Sequence, residues 1–238
     1  WVPLIISAPG VKAVRVKDYV GHVDIFPTVC DLLGLEKPAS LQGDSLLPFL
    51  RGKTRKARPI YFEALEAYLN RGWAPLRGVI ENGKKYIDSP IPELYDLEND
   101  FGEEKNLAAA SNLPPYKTRL QEVMKLGASP LKAQAGRRTT DRETQERLQS
   151  LGYAASRVTQ VKSSYGPEDD LKTLLPLEQK VGFASQLKQQ GRLAESVRLL
   201  EDIIKERKDF AKAYDQLFEI YRSQGLIDDA LQVLERAF

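Results

Sequence analysis

Arg71, Trp73 and Arg77 fall within the ten residues LNRGWAPLRG, two guanidiniums around one indole. Arginine forks hold anions through paired donors, and an indole face can stack on a sugar ring. The trio is therefore a candidate rim for an anionic or sugar substrate, although an indole beside Pro75 also reads as core packing. Glu63 and Asp88 are carboxylates of the type used in acid–base work, but nothing in the sequence places them together. His22 and Cys30 are the single histidine and the single cysteine. A histidine-based triad, an intrachain disulfide and a transition-metal site therefore cannot be assembled within the chain. Cys30 sits in PTVCDLLG, an apolar helical pattern that buries a thiol as a small inert hydrophobe. Asp24, in HVDIFPT, reads as a helix cap in preference to a ligand. His22 could donate a hydrogen bond near a strand end.

The 238 residues carry a net charge of +2, with 42% hydrophobic and 29% charged side chains. These values fit a chain with enough apolar residues for one large or two small domains. A near-neutral chain has no broad field to attract nucleic acid or a membrane surface. No apolar run reaches the ~18–20 residues of a membrane span. The one basic cluster is RGKTRKAR, Arg51–Arg58, with five basic residues in eight. It reads as a solvated loop, with docking of an anionic partner as the alternative.

The elements that must position these residues alternate between strand and helix over residues 1–126. Val2–Ser7 is strand-like and ends at the turn pair Pro9-Gly10. A buried strand at residue one predicts a chain that begins inside a longer protein. VRVKDYVGHV reads as extended, and IFPTVCDLLG as a helix with Asp24 as its cap, Pro27 in its first turn and Gly34 at its end. LQGDSLLPFLRG reads as a loop with a short helical turn. RPIYFEAL, WAPLRGVIENG and KKYIDS read as strands, and Asn82-Gly83 is a hairpin signal. PELYDLENDFGEEKNLA gives a short strand, a turn and a helix start, and PPYKTRLQEVMKLG closes the region as a helix. The expected class is α/β (α+β) with a small antiparallel sheet. Residues 127–173 are polar and read as a linker, with an embedded helix near 141–151.

From residue 174 to 238 the pattern is helical and recurs with an offset of 34: Phe183 to Leu217, Gly191 to Gly225, Ser196 to Ala230, Leu200 to Leu234. That is the period of the tetratricopeptide repeat, a helix–turn–helix unit. About two repeats fit, the last ending within its second helix, and Lys208 stands where that repeat usually has proline. A generic pair of helical hairpins is the alternative. In the repeat register Gln189, Lys212, Asp215, Glu219 and Arg222 line a concave groove suited to a peptide or protein partner.

VPLIISAPG, HVDIFPTVCDLLGL, LQGDSLLPFLRG and PELYDLENDFGEEKNLA occur in an order that resembles the C-terminal portion of sulfatases, within the alkaline phosphatase superfamily. DRETQERLQSLGY followed by helical repeats is similar to a bacterial subgroup with a tetratricopeptide tail. The resemblance implies a parent that hydrolyses sulfate esters with a formylglycine, made from Cys or Ser in C/S-x-P-x-R, and a calcium ion. No C/S-x-P-x-R occurs here, since Cys30 is followed by DLL. The expectation is a non-catalytic C-terminal portion, inactive alone, whose partner is the missing N-terminal half of the parent, with export of that parent to the periplasm or outside the cell as one expected location. The alternatives are a protein-binding scaffold and a phosphoryl-transferring member of the superfamily. IISAPG lacks the metal-binding histidine of the two-metal pyrophosphatases, which disfavours that branch.

Overall fold

A computed structural model of the protein describes residues 3–11, 13–53, 58–127 and 162–237. The chain divides into two compact units, Trp1–Ala64 with Leu76–Ala155, and Leu65–Pro75 with Ser156–Phe238.

The first unit is built on a four-stranded antiparallel sheet in the order β1-β2-β3-β4. Its strands are Ile60–Ala64 (β1), Leu76–Glu81 (β2), Lys84–Asp88 (β3) and Glu93–Asp96 (β4). Asn82 (φ 50°) and Gly83 (φ 70°) both adopt the left-handed conformation between β2 and β3. That pair of angles matches the right-handed twist of the flanking strands, which is why Asn-Gly makes the hairpin here. Strand alternation gives the sheet two apolar faces. On one, Val79, Tyr86 and Leu94 pack with Ala108 and Leu120. Leu120 belongs to α4, Pro114–Gly127, which also ties to the sheet through Arg119 and Glu81 at 2.8 Å. On the other, Ile87, Tyr95 and Leu97 pack with Tyr19, Phe62 and Ile80. The helix expected to begin at the end of EEKNLA is only a 3-10 turn, Ala108–Ala110.

Two of the sequence words lock together. The helix α1, Ile25–Leu33, ends at Gly34 in the left-handed conformation (φ 67°), and α2 is the short turn Leu47–Leu50. Asp24 does not cap α1 with its side chain. Its carboxylate is wholly buried and accepts from the amides of Gly21 (3.0 Å) and Asp44 (2.9 Å) and from the Arg58 guanidinium. Burial explains the correction: a carboxylate out of water needs donors from several directions, more than one helix end supplies. Thr28 links the same segments, donating to the Asp24 carbonyl and accepting from the Leu46 amide at 2.8 Å. A Cβ on Gly43 would lie 1.8 Å from the Val23 carbonyl oxygen, so only glycine allows this approach. Arg58 thereby leaves the solvated basic run; residues 54–57 lie outside the described residues.

The opening stretch departs from expectation. Pro3–Ser7 forms no strand, and Ile5 is 89% exposed. VRVKDYVGHV likewise pairs with no strand among the described residues. Strand propensity is realised only when a neighbour completes the hydrogen-bond ladder, and the described sheet offers these segments none.

The second unit contains α3 (Glu66–Arg71) and four longer helices, α5 (Leu171–Gln189), α6 (Leu193–Glu206), α7 (Ala211–Ser223) and α8 (Ile227–Arg236). Asp170 caps α5, accepting from the Lys172 amide at 2.9 Å, so the helix starts three residues before the expected boundary. Leu177, Val181, Leu200, Ile203, Ala213, Leu217 and Ile220 form its core. The two helix turns repeat each other bond for bond at the 34-residue offset. Arg192 N donates to Leu187 O (2.9 Å) as Leu226 N does to Tyr221 O (3.0 Å), and Gly191 and Gly225 share φ values of 76° and 74°. Ser196 and Ala230 are both buried, while Phe183 is exposed where its counterpart Leu217 is buried. The helix expected near 141–151 lies outside the described residues.

Candidate functional site

Cross-strand register assembles a row that the sequence keeps apart. Arg77 in the middle of the sheet stands opposite Glu63 on β1 and opposite Asp88 on β3. Directly opposed residues share a face, so Glu63, Arg77 and Asp88 stand in one row across the three strands. Each carboxylate also accepts from the tyrosine two residues before it on its own strand: Tyr61 donates to Glu63, and Tyr86 donates to Asp88 at 2.9 Å. Arg77 Nε is buried with no hydrogen-bond partner among the described residues.

Beside Asp88 the surface opens into a groove of about 530 Å³, lined by Ser89, Pro92, Lys117, Thr118 and Gln121 among others. Lys117 Nζ lies 3.8 Å from Asp88. Burial first, and then the hydrogen bond to Glu63, pushes the Tyr61 phenol up to about 12. Burial and the bond to Asp88 push Tyr86 up as well. Both phenols therefore stay protonated at neutral pH and act in this row as hydrogen-bond donors. The row is equipped to orient a polar group.

A second, smaller cleft of about 260 Å³ is lined by Lys17, Tyr19, Phe49, Arg58, Ile80 and Glu98, together with neighbouring residues. Arg58 is committed there to Asp24 and also donates to the Gln42 carbonyl at 3.0 Å. His22 is exposed at the start of a 3-10 turn, and Cys30 is a buried free thiol. Among the described residues no group of three or more His, Cys, Asp or Glu side chains is placed to hold a metal ion. A calcium site of carboxylates does not fit these residues, and no chemical step is routed through one.

The three residues of the proposed rim are divided between the two units. Arg77 belongs to the first unit, whereas Arg71 and Trp73 belong to the second. Trp73 is 5% exposed and packs with Phe210, ring centroids 6.1 Å apart. Arg71 lies over the Trp73 ring at 5.2 Å and pairs with Glu66 (3.3 Å) and Glu178 (3.8 Å). An indole so enclosed has no free face for a sugar. Of the groove candidates, Gln189 and Asp215 are exposed, Lys212 donates to Glu178, and Glu219 pairs with Arg222 at 2.7 Å.

Sequence reasoning missed the tyrosine–carboxylate pairs. The i, i+2 spacing of Tyr61/Glu63 and Tyr86/Asp88 on strands was the available signal, since it puts each pair on one face. Nothing local announces the opposition of Glu63, Arg77 and Asp88, which depends on strand register.

The chain is similar to larger proteins over its first half. Over 117 residues it is 37% identical to Delta 4,5-hexuronate-2-O-sulfatase of Bacteroides thetaiotaomicron, covering 45% of this chain and 24% of that protein. It is 36% identical over 121 residues to human Arylsulfatase K, covering 45% of this chain and 22% of that one. Among solved structures, a 2-O GAG sulfatase matches with 30% identity and a TM-score of 0.38, over 46% of this chain and 26% of that one. The chain thus spans about a quarter of the length of the relatives it matches. Residues 1–128 match the family model described as N-sulphoglucosamine sulphohydrolase, C-terminal, and the chain belongs to that family as a C-terminal sulfatase domain of the alkaline phosphatase superfamily.

Proposed function

We propose that this chain is the non-catalytic C-terminal portion of a sulfatase-family hydrolase of sulfate esters, followed by a tetratricopeptide tail that binds protein. The observation that carries the first part is the bare apolar side of α1. Ile25, Phe26, Val29 and Leu33 are all exposed, while Thr28 and Cys30 are buried on the other side. A helix that is apolar all round has two faces to cover. On this reading the exposed one belongs against the part of the parent that lies outside this chain, where the formylglycine and calcium implied by the resemblance would be held.

The absence of C/S-x-P-x-R in the sequence supports a non-catalytic role for these residues. The purified chain should therefore show no turnover of an aryl sulfate, with or without added calcium. Turnover that survives purification and disappears when a residue of this chain is mutated would sink the proposal.

The matching turns at Gly191 and Gly225, with Ser196 and Ala230 buried at equivalent points, support the tetratricopeptide reading. They also favour the scaffold alternative for the tail, with Gln189, Lys212, Asp215, Glu219 and Arg222 as groove residues.

A further inference from the structure

Leu65–Pro75 joins the compact unit formed by Ser156–Phe238 although the two are far apart in sequence. Its packing has the form of a short ligand in a receptor. One aromatic anchor, Trp73, is buried in the cluster that holds Leu174, Leu177 and Phe210. A cation two residues earlier, Arg71, faces Glu178 on α5. The Ala74 amide donates to the Asp169 carbonyl at 2.9 Å, and the Tyr68 ring meets Tyr165 edge-on at 6.2 Å. The segment is also pre-shaped: Gly72 (φ 68°) ends α3 in the left-handed conformation, and the Trp73 amide turns back to the Ala67 carbonyl at 3.3 Å. A short segment that is ordered before it binds loses less entropy on docking.

The receptor side carries unspent capacity. Glu178 Oε1 serves both Lys212 and Arg71, while Oε2 is buried with no hydrogen-bond partner among the described residues. We propose that α5–α8 form a seat for an Arg-x-Trp segment, filled here by the chain's own Arg71–Pro75, and that the seat accepts this segment as a separate ligand. This rests on reading the helical unit as a peptide-binding module, and it names the peptide.

Trp73→Ala in the full chain empties the seat, and a fluorescein-labelled peptide of residues 65–76 is titrated into it by anisotropy. Saturable binding is expected, weakened at least about 30-fold when the tryptophan of the peptide is replaced by alanine, the loss typical of an aromatic hot spot. The unsubstituted chain should bind the peptide at least about tenfold more weakly, because its seat is already filled. If Trp73→Ala loses its helical circular dichroism, Trp73→Leu carries the same titration, since it removes the indole and keeps part of the apolar contact. No binding to the variant that folds, or binding indifferent to the tryptophan of the peptide, overturns the proposal. Thermal unfolding of Ala230→Leu reports on the repeat register separately, so a failed titration with that register intact removes the seat and leaves the module.

Discussion

A carboxylate taken out of water is tolerated only when donors replace its hydration, and Asp24 gathers the Gly21 and Asp44 amides and the Arg58 guanidinium. Those donors come from both sides of α1 and from the run before β1, so one side chain holds three stretches of chain in place. Removing one partner of a buried pair strands the other, at a cost of about 3–5 kcal/mol. Asp24→Ala should lose stability of that order in urea unfolding. Arg58→Ala should lose a comparable amount, because it leaves the wholly buried Asp24 carboxylate with only its two amide donors. The double variant should cost less than the sum by about 0.5–3 kcal/mol, the coupling expected of residues in contact. Strict additivity would show that the pair contributes nothing as a pair.

At the level of elements, the helical unit depends on close approach inside each hairpin. Ser196 Oγ donates to the Ala184 carbonyl at 2.8 Å, and neither Ser196 nor Ala230 leaves space for a larger side chain. Ala230→Leu forces bulk into that contact, at roughly 1–3 kcal/mol. Gln224→Leu adds a similar apolar group at an exposed turn and should change stability by less than about 0.5 kcal/mol. Thermal unfolding of the two variants separates these outcomes, and equal effects would count against the repeat register. The sheet has its own dependence on local chemistry, since Asn82-Gly83 sets the β2–β3 register that brings Arg77 opposite Asp88.

For the molecule as a whole, the apolar surface is concentrated in its first residues. Leu4 and Ile5 are exposed, and α1 presents Phe26 and Leu33 at 55% and 67% exposure. Patches of this kind mark contact surfaces. The amides of Leu4–Ser7 lie in no ladder, so hydrogen exchange there should approach the rate of an unfolded chain, while β2 and β3 stay protected. Slow exchange across Leu4–Ser7 in monomeric protein would mean that the stretch pairs after all.

Local rules determined a good deal from the sequence alone. Asn82-Gly83, the alternation of β1 to β3, Gly34 at the end of α1 and the 34-residue recurrence of Gly191 and Gly225 each follow from the conformations a few neighbouring residues allow. The four words that resemble sulfatases pointed to the family for the same reason, because they are contiguous. What tertiary structure decided is where groups distant in sequence meet. Asp24 became a buried hub instead of a cap, and Pro3–Ser7 stayed unpaired. Trp73 left the expected substrate rim for the core of the helical unit. Burial, register and partner supply are sums over the whole fold, and a residue's type fixes only what it needs, not whether a distant segment arrives to provide it.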